Sequence, residues 1–261
     1  MKTKLTLAIL LLATATSWNT IAPKWRIDRN ENFILFYTDS DADQKSAHKK
    51  LIVDGIIAVN QFFDSGFKKQ FKVYVHPSRH SLDSTWRKDW KMPDFKSECW
   101  MVASGVATKL DWLSPKVWDQ HACEHVYADT QKTQQLITHE LVHVFHGQRN
   151  ASPDFSQTEG IDWFVEGLAT YASGQCDANR LSEVKKALQE NKIPNSLDDF
   201  WSGKIKYGLS GSMVMYIERK YGREKLIGLL PYSKKSEILA ALHTSEAELL
   251  ADWKRFIQIL P

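Results

Sequence analysis

Thr138-His139-Glu140-Leu141-Val142-His143 is the stretch on which the reading of this chain turns. Apolar residues surround it: Leu136, Ile137, Leu141, Val142, Val144 and Phe145 give a helix with a buried face. Thr130 is the expected N-cap, and the helix is expected to run to about His146, with Gly147 as its stop. Two histidines four residues apart on a helix differ by about 40° in direction and about 6 Å along the axis, so both imidazoles can converge on one ion. Glu140 lies on the same turn. It can take a proton from a water at the ion's open position and return it to a leaving amine. The spacing therefore points to a catalytic zinc helix, with His139 and His143 as ligands and Glu140 as general base.

Zinc held by two histidines needs a third protein ligand and one open position. Glu166 is the candidate. It lies 23 residues beyond His143 in Trp163-Phe164-Val165-Glu166-Gly167-Leu168-Ala169-Thr170-Tyr171, on a second helix expected over about Ile161 to Ser173. Asp162, one turn earlier on the same face, competes with it. The metzincin pattern fails, because it would need Gly at 146 and His at 149, where this chain has His146 and Arg149.

His-Glu-x-x-His followed by Trp-x-x-Glu-Gly-x-Ala-x-Tyr resembles the gluzincin metallopeptidases, and more narrowly the bacterial peptidase-MA-like group. The resemblance covers about residues 99 to 230 and extends through Tyr207 to Tyr221-Gly222. It implies Glu166 as third ligand and a sheet lobe with antiparallel edges above the zinc helix. A helical lobe would lie below, with the cleft between the two. It also suggests Tyr207 as the donor that steadies a developing oxyanion, with Tyr171 as a weaker alternative. One position departs: where thermolysin-like enzymes carry an acidic residue that orients a ligand histidine, this chain has Thr170.

The rest of the sequence fits an α+β chain. Phe33 to Tyr37 and Phe71 to Val75 read as strands, and the apolar spacing from about Asp41 to Phe63 reads as a helix. Cys99 to Leu113 reads as strand with a break at Gly105, and Trp100 to Ala107 is a candidate edge for pairing with an extended peptide. Residues 82 to 98 have no clear period. After residue 130 the texture is helical, with further helices at about Leu181–Gln189, Leu209–Tyr221, Lys225–Leu230 and Glu246–Leu260. Trp86, Trp90, Trp100, Trp112 and Trp118 cluster in sequence and are either core residues or a sugar-stacking platform. His146 is either packed or close to substrate, and His121 and His125 read as surface or rim.

Of the 261 residues, 43% are hydrophobic and 25% charged, with a net charge of +3 and mixed signs. That composition suits a globular chain and argues against nucleic acid or an anionic membrane surface as partner. Lys2 and Lys4, the apolar run Leu5 to Ala13 and the small residues Ala13-Thr14-Ala15 read as a secretory signal, here taken as residues 1–17, with cleavage at Ala15 or a few residues later. The expected organisation is one metallopeptidase-like catalytic domain over residues 18–261. Its sheet lobe is 18–129, and the zinc helix with the helical lobe is 130–261. The chain is expected to be exported, periplasmic or secreted, without stable membrane insertion after cleavage. In that setting Cys99 and Cys123 pair and Cys176 stays a thiol. The favoured function is a zinc peptidase with one zinc per chain, acting on a peptide or protein. The second reading is a non-catalytic zinc-containing binding or scaffold protein that uses the Trp-rich segment to hold a glycan. The presence of Glu140 argues against it, because a structural zinc site has no need of a general base.

Overall fold

The computed structural model describes residues 23–260. The expected signal segment lies outside them. Five strands form one sheet: β1 (Arg26–Arg29), β2 (Phe33–Tyr37), β3 (Phe71–His76), β4 (Ala103–Val106) and β5 (Lys109–Leu113), in the order β1-β2-β3-β5-β4. The central strands β2, β3 and β5 are parallel, while β1 and β4 run antiparallel along the two edges. Parallel neighbours need a crossover, and α1 (Lys45–Phe63) supplies the one between β2 and β3. Leu35, Val73 and Leu110 stand side by side in register and are fully buried, which marks the covered face of the sheet.

Between β3 and β4 lies α2 (Arg79–Asp89), capped by Ser78, whose hydroxyl accepts from the Ser81 amide. The sequence reading left this segment unassigned. Its two buried apolar side chains, Leu82 and Trp86, are one turn apart. A short turn, α3 (Trp118–His121), follows β5. The expected break at Gly105 is not there. Gly105 lies inside β4, and the chain turns at Ala107-Thr108 instead.

The second half is helical: α4 (Thr130–Gly147), α5 (Asp162–Ala172), α6 (Ala178–Gln189), α7 (Lys206–Tyr221), α8 (Arg223–Gly228), α9 (Lys235–Ala241) and α10 (Glu246–Ile259). The architecture is thus α+β, with an N-terminal sheet and a C-terminal helical region. The cap of α4 is Asp129, not Thr130: its carboxylate accepts from the Lys132 amide at 3.0 Å. Helix α4 is buried continuously from Ile137 to Gly147. Phe145 stacks on Phe63 of α1 with ring centroids 4.3 Å apart and meets Phe67 edge-on. Burial of one such ring contributes about 1.5–3 kcal/mol, so α4 is clamped between sheet and helices before its polar residues are counted. Cys99 and Cys123 form a disulfide, and Cys176 is a buried thiol whose pKa is pushed up to about 12 by that burial.

Candidate metal centre

The residues of the zinc motif face inward from the middle of α4. His139, Glu140 and His143 are buried, at 5–6% exposure each. Helix α5 crosses beside α4 and brings Glu166 to the same point. Glu166 Oε2 lies 3.4 Å from His139 Nε2 and 3.5 Å from His143 Nε2, and the two Nε2 atoms are 3.1 Å apart. The packing of α5 against α7 sets this placement. At Gly167, the residue after Glu166, a Cβ would sit 2.4 Å from the Ser210 carbonyl oxygen, so only glycine lets the helices approach this closely. Asp162, the competing candidate, is exposed in the first turn of α5 and does not join the cluster.

The triangle has the dimensions of a zinc site. A tetrahedral ion bound at about 2.0–2.1 Å holds its donor atoms about 3.3–3.4 Å apart. The observed separations of 3.1, 3.4 and 3.5 Å bracket that value. The electrostatics agree. Burial opposes ionisation of Glu166, but the two imidazoles outweigh it and hold its carboxyl well below the usual range. Burial likewise opposes charge on His143, and Glu166 reverses the balance, so that its pKa is raised. Two histidines and one carboxylate are a donor set used by catalytic zinc sites.

Glu140 does not join the triangle. Strand β4 passes directly over it: a Cβ on Gly105 would lie 2.2 Å from the Glu140 carbonyl oxygen and 3.1 Å from His143 Cβ. Glu140 itself is buried on the same helix, between the two histidines. Burial raises the Glu140 pKa, partly opposed by His139 and His143.

Tyr207, in the first turn of α7, places its ring 6.3 Å from that of His139. Burial and the carboxylates of Glu166 and Glu140 raise its pKa, so the phenol remains a donor. Tyr171 lies elsewhere. Its hydroxyl donates to Glu218 and its ring packs edge-on against Phe62. His146 takes the packed role. It is fully buried, donates from Nε2 to the Leu230 carbonyl at 3.2 Å and is kept neutral, because burial and then His143 push its pKa down to about 3. His121 is exposed, and His125 is half-buried with Nε2 on the Trp100 carbonyl at 2.9 Å. Of the clustered tryptophans, Trp86, Trp112 and Trp118 are core residues, whereas Trp90 and Trp100 are each 37% exposed. Sequence reasoning missed Arg180, Trp201 and Lys206, which surround Tyr207; no motif marks them, and Arg180 reaches Tyr207 only through the docking of α6 against α7.

No protein-family model and no curated protein matches the chain. Among solved structures it is similar to a two-domain M1 zinc metallopeptidase, a mutant bound to L-tryptophan. The identity is 13% and the TM-score 0.47, with 92% of this chain and 53% of that one covered. The chain thus spans about half the length of that structure. At this similarity the functional reading rests on the residues of the chain itself.

Proposed function

We propose that this protein is an exported zinc-dependent peptide-bond hydrolase of the gluzincin type, with His139, His143 and Glu166 as metal ligands, Glu140 as general base and Tyr207 as oxyanion donor. The observation that carries the proposal is the donor triangle of zinc dimensions, with Glu140 buried on the same helix between its two histidines. When bound, zinc supplies Lewis acidity that polarises a carbonyl and acidifies a water. Glu140 accepts the proton of the attacking water and carries it to the leaving amine, for which its raised pKa suits it. Tyr207 donates its hydroxyl proton in a hydrogen bond to the oxygen on which charge builds up. Strand β4 packs a face on Glu140 at Gly105 and, among the described residues, pairs along one edge with β5 alone; an extended peptide would add as a further strand at the other edge.

The test is Glu140→Gln. The amide keeps the size of the side chain and removes its basicity. Zinc should stay near one per chain while peptide hydrolysis falls by about 10²- to 10⁴-fold. Equal hydrolysis by wild type and variant would end the peptidase reading; loss of zinc in the variant would move Glu140 into the ligand set.

A further inference from the structure

Around Tyr207 the structure gathers two cations whose surroundings are aromatic. Lys206 Nζ lies 4.6 Å from the ring centroid of Trp100, 4.4 Å from that of Trp201 and 5.4 Å from that of Tyr207. The Arg180 guanidinium, from α6, sits 4.9 Å from the same Tyr207 ring and donates to the Gln175 carbonyl at 2.8 Å. Among the described residues neither cation forms an ion pair, whereas lysines elsewhere on these helices, such as Lys186 and Lys220, do. The carboxylates felt at Tyr207 are Glu166 and Glu140, committed to the metal centre, and Glu124, which is exposed to solvent. Cations left unpaired beside a reaction centre attract an anionic group on whatever enters.

The wall that carries this charge is fixed. Trp100 belongs to the sheet lobe, while Trp201 and Lys206 belong to the helical lobe, so the aromatic-cation contact ties the two lobes together beside Tyr207. The backbone on both sides of Trp100 is anchored. The Cys99–Cys123 disulfide holds one flank, and the Arg79 guanidinium donates to the carbonyls of Cys99, Met101 and His121. Helix α7 starts here with Ile205 at its N-cap, which offers no side-chain acceptor, so the positive end of the helix adds to the same field.

We propose that Lys206 and Arg180 recognise a carboxylate of the peptide substrate close to the bond that is cut, either an acidic side chain or the free C-terminal carboxylate. The inference rests on the peptide-hydrolase function proposed above and adds its substrate class. Trp100 and Trp201 hold the Lys206 ammonium beside their rings, where it can make a charge-assisted hydrogen bond to the anion.

The experiment has a binding arm and a cleavage arm. In the first, the zinc-loaded Glu140→Gln chain is titrated with acetylated, amidated pentapeptides that differ only by Glu or Gln, and with an acetylated neutral pentapeptide that has a free or an amidated C-terminus. Tryptophan fluorescence is the readout. A carboxylate should tighten binding by roughly tenfold in one of the two pairs, and the pair that responds identifies the source of the charge. Lys206→Met and Arg180→Met should each remove most of that preference without loss of zinc, and Lys206→Arg should restore it. In the second arm, wild type and Lys206→Met cut a mixed peptide library, and the cut sites are read by mass spectrometry. The preference should appear in KM more than in kcat, with acidic residues at one fixed position or cuts confined to the free C-terminal end. Equal binding of charged and neutral partners, or a preference that survives in the Lys206→Met, Arg180→Met double variant, overturns the proposal. If the wild type cuts no peptide, the peptidase reading fails, and the binding arm still decides whether these cations read a carboxylate.

Discussion

Two of the groups in which imidazole and carboxylate meet away from solvent bear comparison, one in the sheet lobe and one between α4 and α5. In the sheet, His76 Nδ1 meets the Ser81 hydroxyl at 3.0 Å and Nε2 meets Asp111 at 2.9 Å. The second oxygen of Asp111 pairs with Lys109 at 2.7 Å. The protein itself supplies a partner for each of these atoms, so the group cross-links β3, β5 and α2. In the second group, three donor atoms point at one another, and the Nδ1 atoms of His139 and His143 are buried with no partner among the described residues. Two imidazole nitrogens 3.1 Å apart and a carboxylate oxygen repel one another unless a proton or a metal lies between them. Both groups use imidazole and carboxylate; what separates them is whether the lone pairs are spent on the protein or left converging, as a metal ion would require.

The largest effect expected from this contrast is loss of metal. Glu166→Ala removes the only anionic donor of the triangle. It should weaken zinc binding by more than the about 10- to 100-fold that loss of an outer hydrogen-bond partner costs. Asp162→Ala should leave zinc in place, because Asp162 stays exposed in the first turn of α5. Zinc content after dialysis against a mild chelator distinguishes the two. Zinc kept by Glu166→Ala and lost by Asp162→Ala would transfer the ligand role. Zinc kept by both would place the third donor outside the triangle.

Asp111→Ala should do the opposite: zinc at one per chain, but a fold weakened by about 3–5 kcal/mol, the cost of breaking a buried ionic cluster from one side. Denaturant melts of the zinc-free chain measure it. If the change costs under 1 kcal/mol, or if it removes zinc, the distinction between the two groups collapses.

Why the second group was legible in sequence and the first was not follows from the same contrast. His139, Glu140 and His143 sit on one helix at spacings the helix itself dictates, so a local pattern carries them, and the motif around Glu166 on a second helix adds the fourth residue. His76, Ser81, Asp111 and Lys109 come from two strands and a helix, and only the β3–β5 register joins them. The same holds for the elements. Strands β2 and β3 and helix α1 announce themselves by period, with buried residues alternating along Phe33 to Tyr37 and a buried face of Ile52, Ile56, Val59 and Phe63. Strand β1, Arg26-Ile27-Asp28-Arg29, is an exposed edge with no apolar alternation to read. Gly105 read as a breaker because close approach to Glu140, its actual reason, is a tertiary fact. Lys206 and Arg180 belong to the same class.

A smaller effect separates the sheet lobe from the metal centre by pH. Asp41 is fully buried and accepts from Ser114 at 2.5 Å and Ser40 at 3.0 Å, with His48 at 3.6 Å. Burial opposes its ionisation, but the nearby His48 imidazole and the bonds from Ser114 and Ser40 prevail and its pKa is lowered. A depressed folded-state pKa contributes stability that is present above the unfolded value of about 4 and is lost as pH falls through the folded value. Asp41→Asn should therefore cost about 1–3 kcal/mol at pH 7 and less at pH 3. Denaturant melts at the two pH values measure the gap. A gap that stays constant would mean that the Asp41 charge contributes nothing to the fold.

The smallest effect concerns Thr170, where the chain departs from the acidic residue of thermolysin-like enzymes. A residue that oriented a ligand histidine through its hydroxyl would change zinc affinity by about 10- to 100-fold on removal. The Thr170 side chain is fully buried one turn beyond Glu166, its hydroxyl has no hydrogen-bond partner among the described residues, and its methyl group faces Gly211 of α7 at 3.0 Å from an added Cβ. What the position contributes is therefore contact between α5 and α7, with a desolvated hydroxyl carried at a cost. Thr170→Val keeps the shape and removes the unpaired group, so stability should stay level or rise by up to about 1–3 kcal/mol, the penalty of an unsatisfied buried hydroxyl. Zinc affinity should move less than tenfold, in contrast to Glu166→Ala four residues earlier. A drop of 10-fold or more in zinc affinity for Thr170→Val, with the melt unchanged, would show that the hydroxyl does support a ligand histidine and that the metal centre, like the sheet cluster, spends protein hydrogen bonds to hold its imidazoles.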